Sequence, residues 1–165
     1  MNRRFHYDLA FEHYLRAKQI PYVAVDEARK SLHGPVKLKN FDFVVYGQTG
    51  PNLLVDVKGR KHSGKSHKAL DNWVTADDVN DLQHWQRVFG PGFRAAFVFL
   101  YWCDAQPPDA LFLETFEFRD RWYTVLAVTL DQYAAHARQR SPKWRTVHTP
   151  ADAFNRISRP LMDLL

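Results

Sequence analysis

The sequence predicts a mixed α/β fold: a helix, three strands, a second helix and a further strand, followed by a β/α extension. Three observations carry this reading. Apolar residues recur at helical spacing in residues 6–19, as Ala10, Phe11, Tyr14 and Ala17, and again as Val79, Leu82, Trp85 and Phe89. Between those stretches, two apolar runs at 41–46 and 53–58 flank the Gly/Pro-containing residues 47–52, which is the pattern of a hairpin. Residues 93–102 form a near-continuous apolar run of strand length, as expected of a central strand covered on both faces.

Taken in order, the first helix stops at Pro21, and residues 22–25 read as a short strand. Residues 26–39 read as a polar connection, with His33-Gly34-Pro35 as its turn. After the hairpin, GRKHSGKSH at 59–67 holds three cations and no acid, and reads as a mobile, exposed loop. Thr75-Ala76-Asp77-Asp78 supplies a cap and N-terminal acids for the second helix, and Gly90-Pro91-Gly92 ends it. Beyond a loop at 104–109, strands are expected at 111–118 and 123–128 with a turn at 119–121. A helix is expected at 130–139, a short strand at 144–148 and a short helix at 150–157. With no repeat or linker, the 165 residues read as one domain, its core at about 5–102 and its extension at about 103–165.

The bulk chemistry narrows the function classes. A net charge of +5 is compatible with a polyanionic partner without requiring one. A single cysteine, Cys103, excludes an internal disulfide and suits a reducing compartment. At the end of an apolar strand, Cys103 reads as a small buried hydrophobe. The N-terminal residues carry His6, Asp8, Glu12 and His13 where a signal peptide needs an unbroken apolar run, and no stretch is long enough to span a bilayer. A soluble, cytoplasmic protein is therefore expected.

The chemistry concentrates at residues 41–61. Asp42 stands between Phe41 and Phe43, and Asp56 and Lys58 close the run Leu53-Leu54-Val55-Asp56-Val57-Lys58. Residues i and i+2 of a strand share a face, so Asp56 and Lys58 stand side by side. A carboxylate in an apolar setting needs a partner or a metal. An ordinary ion pair on an edge strand is the plainer alternative for Asp56 and Lys58, and the second acid on the neighbouring strand weighs against it.

This arrangement resembles the PD-(D/E)XK nuclease superfamily, which includes restriction enzymes, Holliday-junction resolvases and repair nucleases. The likeness rests on Glu12 in the leading helix, Asp42 on one strand and Asp56-Val57-Lys58 on the next. It departs from the signature in having Phe41, not proline, before the first acid. The resemblance implies a restriction-endonuclease-like core and hydrolysis of phosphodiester bonds, in DNA rather than RNA, with Mg²⁺ as cofactor and Mn²⁺ as a substitute. It implies Asp42, Asp56 and the Val57 carbonyl as metal ligands, and Glu12 as ligand to a second metal or holder of a metal-bound water. Lys58 would orient the attacking water or stabilise charge. Some branches carry a glutamine on the following helix, a place Gln83 or Gln86 could fill. Many such enzymes pair up to cut two strands, so a homodimer is implied as well.

Arg60, Lys61, Lys65 and Lys68 follow the motif and are candidate phosphate contacts, and Trp73 is a candidate base-stacking residue. Two rival readings remain. One is a module of the same fold that binds nucleic acid or serves as an accessory without cutting. The other is a nucleotide-binding P-loop, because Gly59-Arg-Lys-His-Ser-Gly-Lys-Ser66 literally satisfies that pattern. Against the P-loop stand the bulky cations where tight curvature is needed and the lack of an amphipathic helix after Ser66. The histidines show no paired spacing for zinc.

Overall fold

The computed structural model describes residues 3–26, 31–33, 36–104, 107–110 and 112–165, with side chains for all of these except 3–5, 31–33 and 36–37. Helix α1 (Arg3–Ala17) leads into β1 (Tyr22–Ala24), a small hairpin of β2 (Ser31–His33) and β3 (Val36–Leu38), then β4 (Phe43–Val45) and β5 (Asn52–His62). Strand β6 (Val74–Thr75) enters α2 (Ala76–Phe89), and β7 (Phe93–Cys103) follows. The chain closes with β8 (Thr115–Phe118), β9 (Arg121–Thr129), α3 (Leu130–His136), β10 (Arg138–Ser141), β11 (Thr146–His148), α4 (Ala151–Ile157) and a 3-10 turn at Leu161–Leu164.

Six strands form one sheet in the order β1-β4-β5-β7-β9-β8. Among the described strands only β5 and β7 run parallel, paired from Asn52↔Phe93 to His62↔Cys103, and α2 is the crossover between them. Alternation along β5 separates two cores. Leu53, Val55 and Val57 meet Ala10, Phe11 and Leu15 of α1. On the other face Leu54, Phe97, Phe99 and Tyr101 meet Leu82 of α2, Tyr133 of α3 and Phe154 of α4. Helix α2 begins as its sequence predicts: the Thr75 side chain accepts from Asp78 N, and the Asp78 carboxylate accepts from Thr75 N.

Several elements differ from the sequence reading. Residues 59–62 are not loop: β5 continues to His62, because every residue to that point pairs with β7. Residues 26–39 contain the β2–β3 hairpin, and the Gly34 and Pro35 of the expected turn lie outside the described residues. The expected strand at 111–118 begins only at Thr115, with Leu111 outside the described residues. Helix α3 ends at His136, and Arg138–Ser141 pairs with β11 instead of continuing it. The C-terminal third does more than decorate: β9 pairs with β7 from Ala96↔Thr129 to Cys103↔Trp122, and Tyr123, Val125 and Ala127 join the core under α1. Cys103 is buried, and burial pushes its thiol up to about 11, which makes it a poor nucleophile. No described helix is long and apolar enough to cross a membrane.

Candidate nuclease site

The site forms where β4 stops short of β5. Pairing between them runs from Val45↔Leu53 only to Phe43↔Val55. Among the described strands none pairs with that edge of β5 beyond Val55. Asp42, one residue before β4, takes over the ladder. Its N–H donates to Val55 O at 2.9 Å, and its Oδ2 accepts from Val57 N at 2.6 Å. The carboxylate thus satisfies a strand-edge donor that would otherwise be buried without a partner. This also locks Asp42 against the motif residues Asp56-Val57-Lys58.

Asp42 and Asp56 are both only 4% exposed. Lys58 Nζ lies 3.0 Å from Asp56 Oδ1 and 3.0 Å from Asp78 Oδ2, and Lys39 Nζ lies 2.6 Å from Asp78 Oδ1. The two acids that share Lys58 respond oppositely. Burial pushes the Asp56 carboxyl up to about 6: desolvation outweighs the pull of Lys58, and the nearby Asp42 charge adds to the rise. Asp78 is also desolvated, but Lys58, Lys39 and the hydrogen bonds from both hold it well below the ordinary carboxylate range. Although Asp56 Oδ1 is close to Lys58, it makes no hydrogen bond and is fully enclosed.

A cavity of about 670 Å³ wraps the free edge of β5. Val57, Lys58, Gly59, Arg60 and Lys61 line its floor. His6, Tyr7 and Asp8 of α1, with Trp102, form one wall; Lys39, Trp73 and Asp78 form the other. Gly59 is required where α1 crosses, since a Cβ there would fall 2.2 Å from the Tyr7 ring. Asp56 opens instead into an adjoining crevice of about 10 Å³, which shares Lys39 and Asp78 with the cavity.

The sequence-predicted residues divide accordingly. Asp42, Asp56, Val57 and Lys58 are brought together. Glu12 is not among the residues lining the cavity; Asp8, one turn earlier on α1, is. Arg60 is no loop cation. Its guanidinium donates to Gly59 O at 2.8 Å and to Trp73 O, and it lies 4.1 Å from the Trp73 ring centroid. Lys61 is exposed at the cavity rim, 3.4 Å from Asp104. Lys65 and Lys68 are exposed beyond it and do not line it. Gln86 is structural: it accepts from Ala95 N at 2.7 Å and donates to Asp131, fixing α2 to the start of β7. Gln83 does not line the cavity. Sequence reasoning missed Asp78 and Lys39 as members of the site. The available signal for Asp78 was its place at the third position of a helix that follows the motif strand.

The P-loop reading fails on geometry. Gly59 to His62 is extended strand, and no helix occurs between residues 63 and 73, so no helix N-terminus follows Ser66 to cradle a phosphate.

The donor set suits a hard dication. It consists of carboxylate oxygens and a strand-edge backbone, with Asp56 Oδ1 lacking any hydrogen bond. Among the described residues no group of three or more His, Cys, Asp or Glu side chains is placed to hold an ion.

The chain has the restriction-endonuclease-like fold of the PD-(D/E)XK nucleases. More particularly, it is similar to Hjc from Archaeoglobus fulgidus, a Holliday junction resolvase from an archaeal hyperthermophile. That match has a TM-score of 0.57 at 14% identity and covers 96% of this chain and 97% of the other. No protein-family model matches the chain, and no curated protein matches it.

Proposed function

We propose that the protein is a divalent-metal-dependent nuclease that hydrolyses phosphodiester bonds in DNA. The observation that carries this reading is the buried pair Asp42 and Asp56 beside Lys58, set where β4 leaves the edge of β5 open to a cavity. The likeness to a protein described as a Holliday junction resolvase supports it and points to branched or junction DNA as the first substrate to try.

Asp42 and Asp56 would hold Mg²⁺ or Mn²⁺, with the Val57 carbonyl as a further oxygen. When bound, such an ion supplies Lewis-acid charge neutralisation and an acidified water. The chain's own residues do the rest. Lys58, held between Asp56 and Asp78, presents a point charge at the cavity floor, where negative charge grows on the phosphate. Asp8 takes the place on α1 that the sequence motif would give to Glu12. Arg60, propped on Trp73, and Lys61 at the rim add positive charge along the floor. Cutting two strands at one junction calls for two such sites, so a homodimer belongs to the same reading; sedimentation of the purified protein with and without junction DNA tests it.

The test is cleavage of four-way junction, forked and duplex oligonucleotides with Mg²⁺ or Mn²⁺. Activity that needs the metal and is lost in Asp56→Ala and in Lys58→Ala is expected. Cleavage that persists unchanged in both variants rules the mechanism out. A second reading, a DNA-binding module that no longer cuts, draws on the pairing of Lys58 and Lys39 with Asp78, which leaves the acids behind an internally neutralised layer. DNA binding with no cleavage of any substrate in either metal favours it.

A further inference from the structure

Away from the acids, residues 138–145 read Arg-Gln-Arg-Ser-Pro-Lys-Trp-Arg, four cations and no acid. They form β10 and the turn into β11. Arg138, Arg140, Lys143, Trp144 and Arg145 are all exposed, and Trp144 is 69% exposed, an unusual state for the largest apolar side chain. Arg145 pairs with Asp77 at 3.0 Å; among the described residues the other three cations have no ion pair.

A solvated basic turn would be unremarked if it hung free. This one is fixed to the site. Ala76, the first residue of α2, donates its N–H to Arg145 O at 2.8 Å, and β11 pairs with β6 at Thr146↔Thr75. Two residues further along α2 is Asp78, the partner of Lys58. The turn itself is closed by Arg145 N to Pro142 O at 3.2 Å. On the other side of the hairpin, the Arg140 guanidinium lies 5.3 Å from the ring centroid of Trp73, the ring that carries Arg60 in the cavity wall. A continuous cationic and aromatic track therefore runs from the cavity through Arg60, Trp73 and Arg140 onto the hairpin.

We propose that the β10–β11 hairpin is a second DNA-binding element, in which Arg138, Arg140 and Lys143 hold the backbone of the strand leaving the cavity and Trp144 stacks on an unpaired base of that strand. Phosphates are the anions a spaced set of exposed arginines and lysines neutralises, and an exposed indole is a stacking platform for a base freed from a duplex. The inference rests on the DNA reading of the site but does not require cleavage.

The experiment measures binding alone, in EDTA, so that cutting does not enter. Fluorescein-labelled forked DNA, with a duplex and a single-stranded arm, and plain duplex of the same length are titrated with wild-type protein and followed by anisotropy over a range of salt. Three variants are compared: Arg138→Ala/Lys143→Ala, the same with Arg140→Ala, and Trp144→Ala. Circular dichroism checks each fold, and the double variant leaves the Arg140–Trp73 stack in place. The triple variant is expected to weaken binding about tenfold or more at low salt and to flatten the log–log salt dependence by about three, the double variant by about two. Trp144→Ala is expected to weaken forked DNA several-fold more than duplex, with the salt slope unchanged. Wild-type protein that fails to bind either DNA, or variants that bind within twofold and with the same slope, overturn the proposal. Loss of binding in the hairpin variants beside a wild type that never cuts would leave the hairpin in place and remove only the nuclease reading. Cleavage that depends on Asp56, with hairpin variants unaltered in binding, would do the reverse.

Discussion

Asp56 and Asp78 touch the same ammonium at the same distance, 3.0 Å, and yet their carboxyls are pushed in opposite directions. Asp78 has a second lysine, a backbone N–H from Thr75 and a position in the first turn of α2. Asp56 has one lysine, a neighbouring carboxylate and an oxygen without a hydrogen bond. An acid whose charge is over-supplied with partners is a structural and positioning group. One whose charge is under-supplied, in a buried setting, is where an added cation gains most. On the proposed function, Asp56 would hold the metal and Asp78 would hold the lysine.

The largest expected effects separate the two acids by activity. Asp56→Asn should lower metal-dependent cleavage by about a hundredfold or more, as should Lys58→Met, measured as single-turnover rates on junction DNA. Lys58→Met should also destabilise the fold by roughly 3–5 kcal/mol in urea melts, because two buried carboxylates lose their shared counter-charge. Equal stability of the wild type and this variant would remove Lys58 from the centre of the network.

The next effect is in pH. The Asp56 carboxyl is raised from 3.8 to about 6, so the folded protein binds a proton there that the unfolded chain has released. Stability therefore falls as pH rises from about 4 to 6, by an amount on the order of 2–3 kcal/mol. Asp78 works the other way: its carboxyl is depressed, so its contribution is full above the ordinary carboxylate range and is lost as pH falls below about 4. Urea melts between pH 4 and 7 should show the decline in wild type and lack it in Asp56→Asn. A flat wild-type profile over that window would show that the Asp56 carboxyl is not raised.

Smaller effects sharpen it. Asp78→Ala removes half of the capping box and one holder of Lys58, and should cost about 1–2 kcal/mol in stability. It should slow cleavage about tenfold with KM nearly unchanged, since Lys58 is mispositioned rather than removed. The smallest contrast lies on α1: Asp8→Ala should slow cleavage more than Glu12→Ala, because only Asp8 faces the cavity. The reverse order would restore Glu12 to the role the family resemblance implies.

Much of this was legible in the sequence because it was local. The i, i+2 spacing of Asp56 and Lys58, the caps of α2 and the apolar run of β7 each follow from short-range rules. What escaped depended on distant partners. Residues 59–62 lack an apolar pattern, and only the parallel ladder to β7 makes them strand. Arg60 reads as a surface cation until Trp73, thirteen residues on, supplies an acceptor and a ring. Asp78 has a sufficient local explanation as a helix-capping acid, which conceals its second task twenty residues from Lys58. Strand β9 resembles any C-terminal strand, and its place beside β7 is a matter of topology alone.

The proposed mechanism requires that the crowded acids at the open edge of β5 take up a cation. Binding of Mn²⁺ at pH 6, where the Asp56 carboxyl is about half protonated, followed by electron paramagnetic resonance and calorimetry without DNA, measures that directly. Wild type is expected to bind Mn²⁺ with proton release, and the affinity to fall at least tenfold in Asp42→Asn and in Asp56→Asn but not in Asp78→Asn. Mn²⁺ binding of equal affinity in wild type and Asp56→Asn, or none in wild type, would contradict that mechanism.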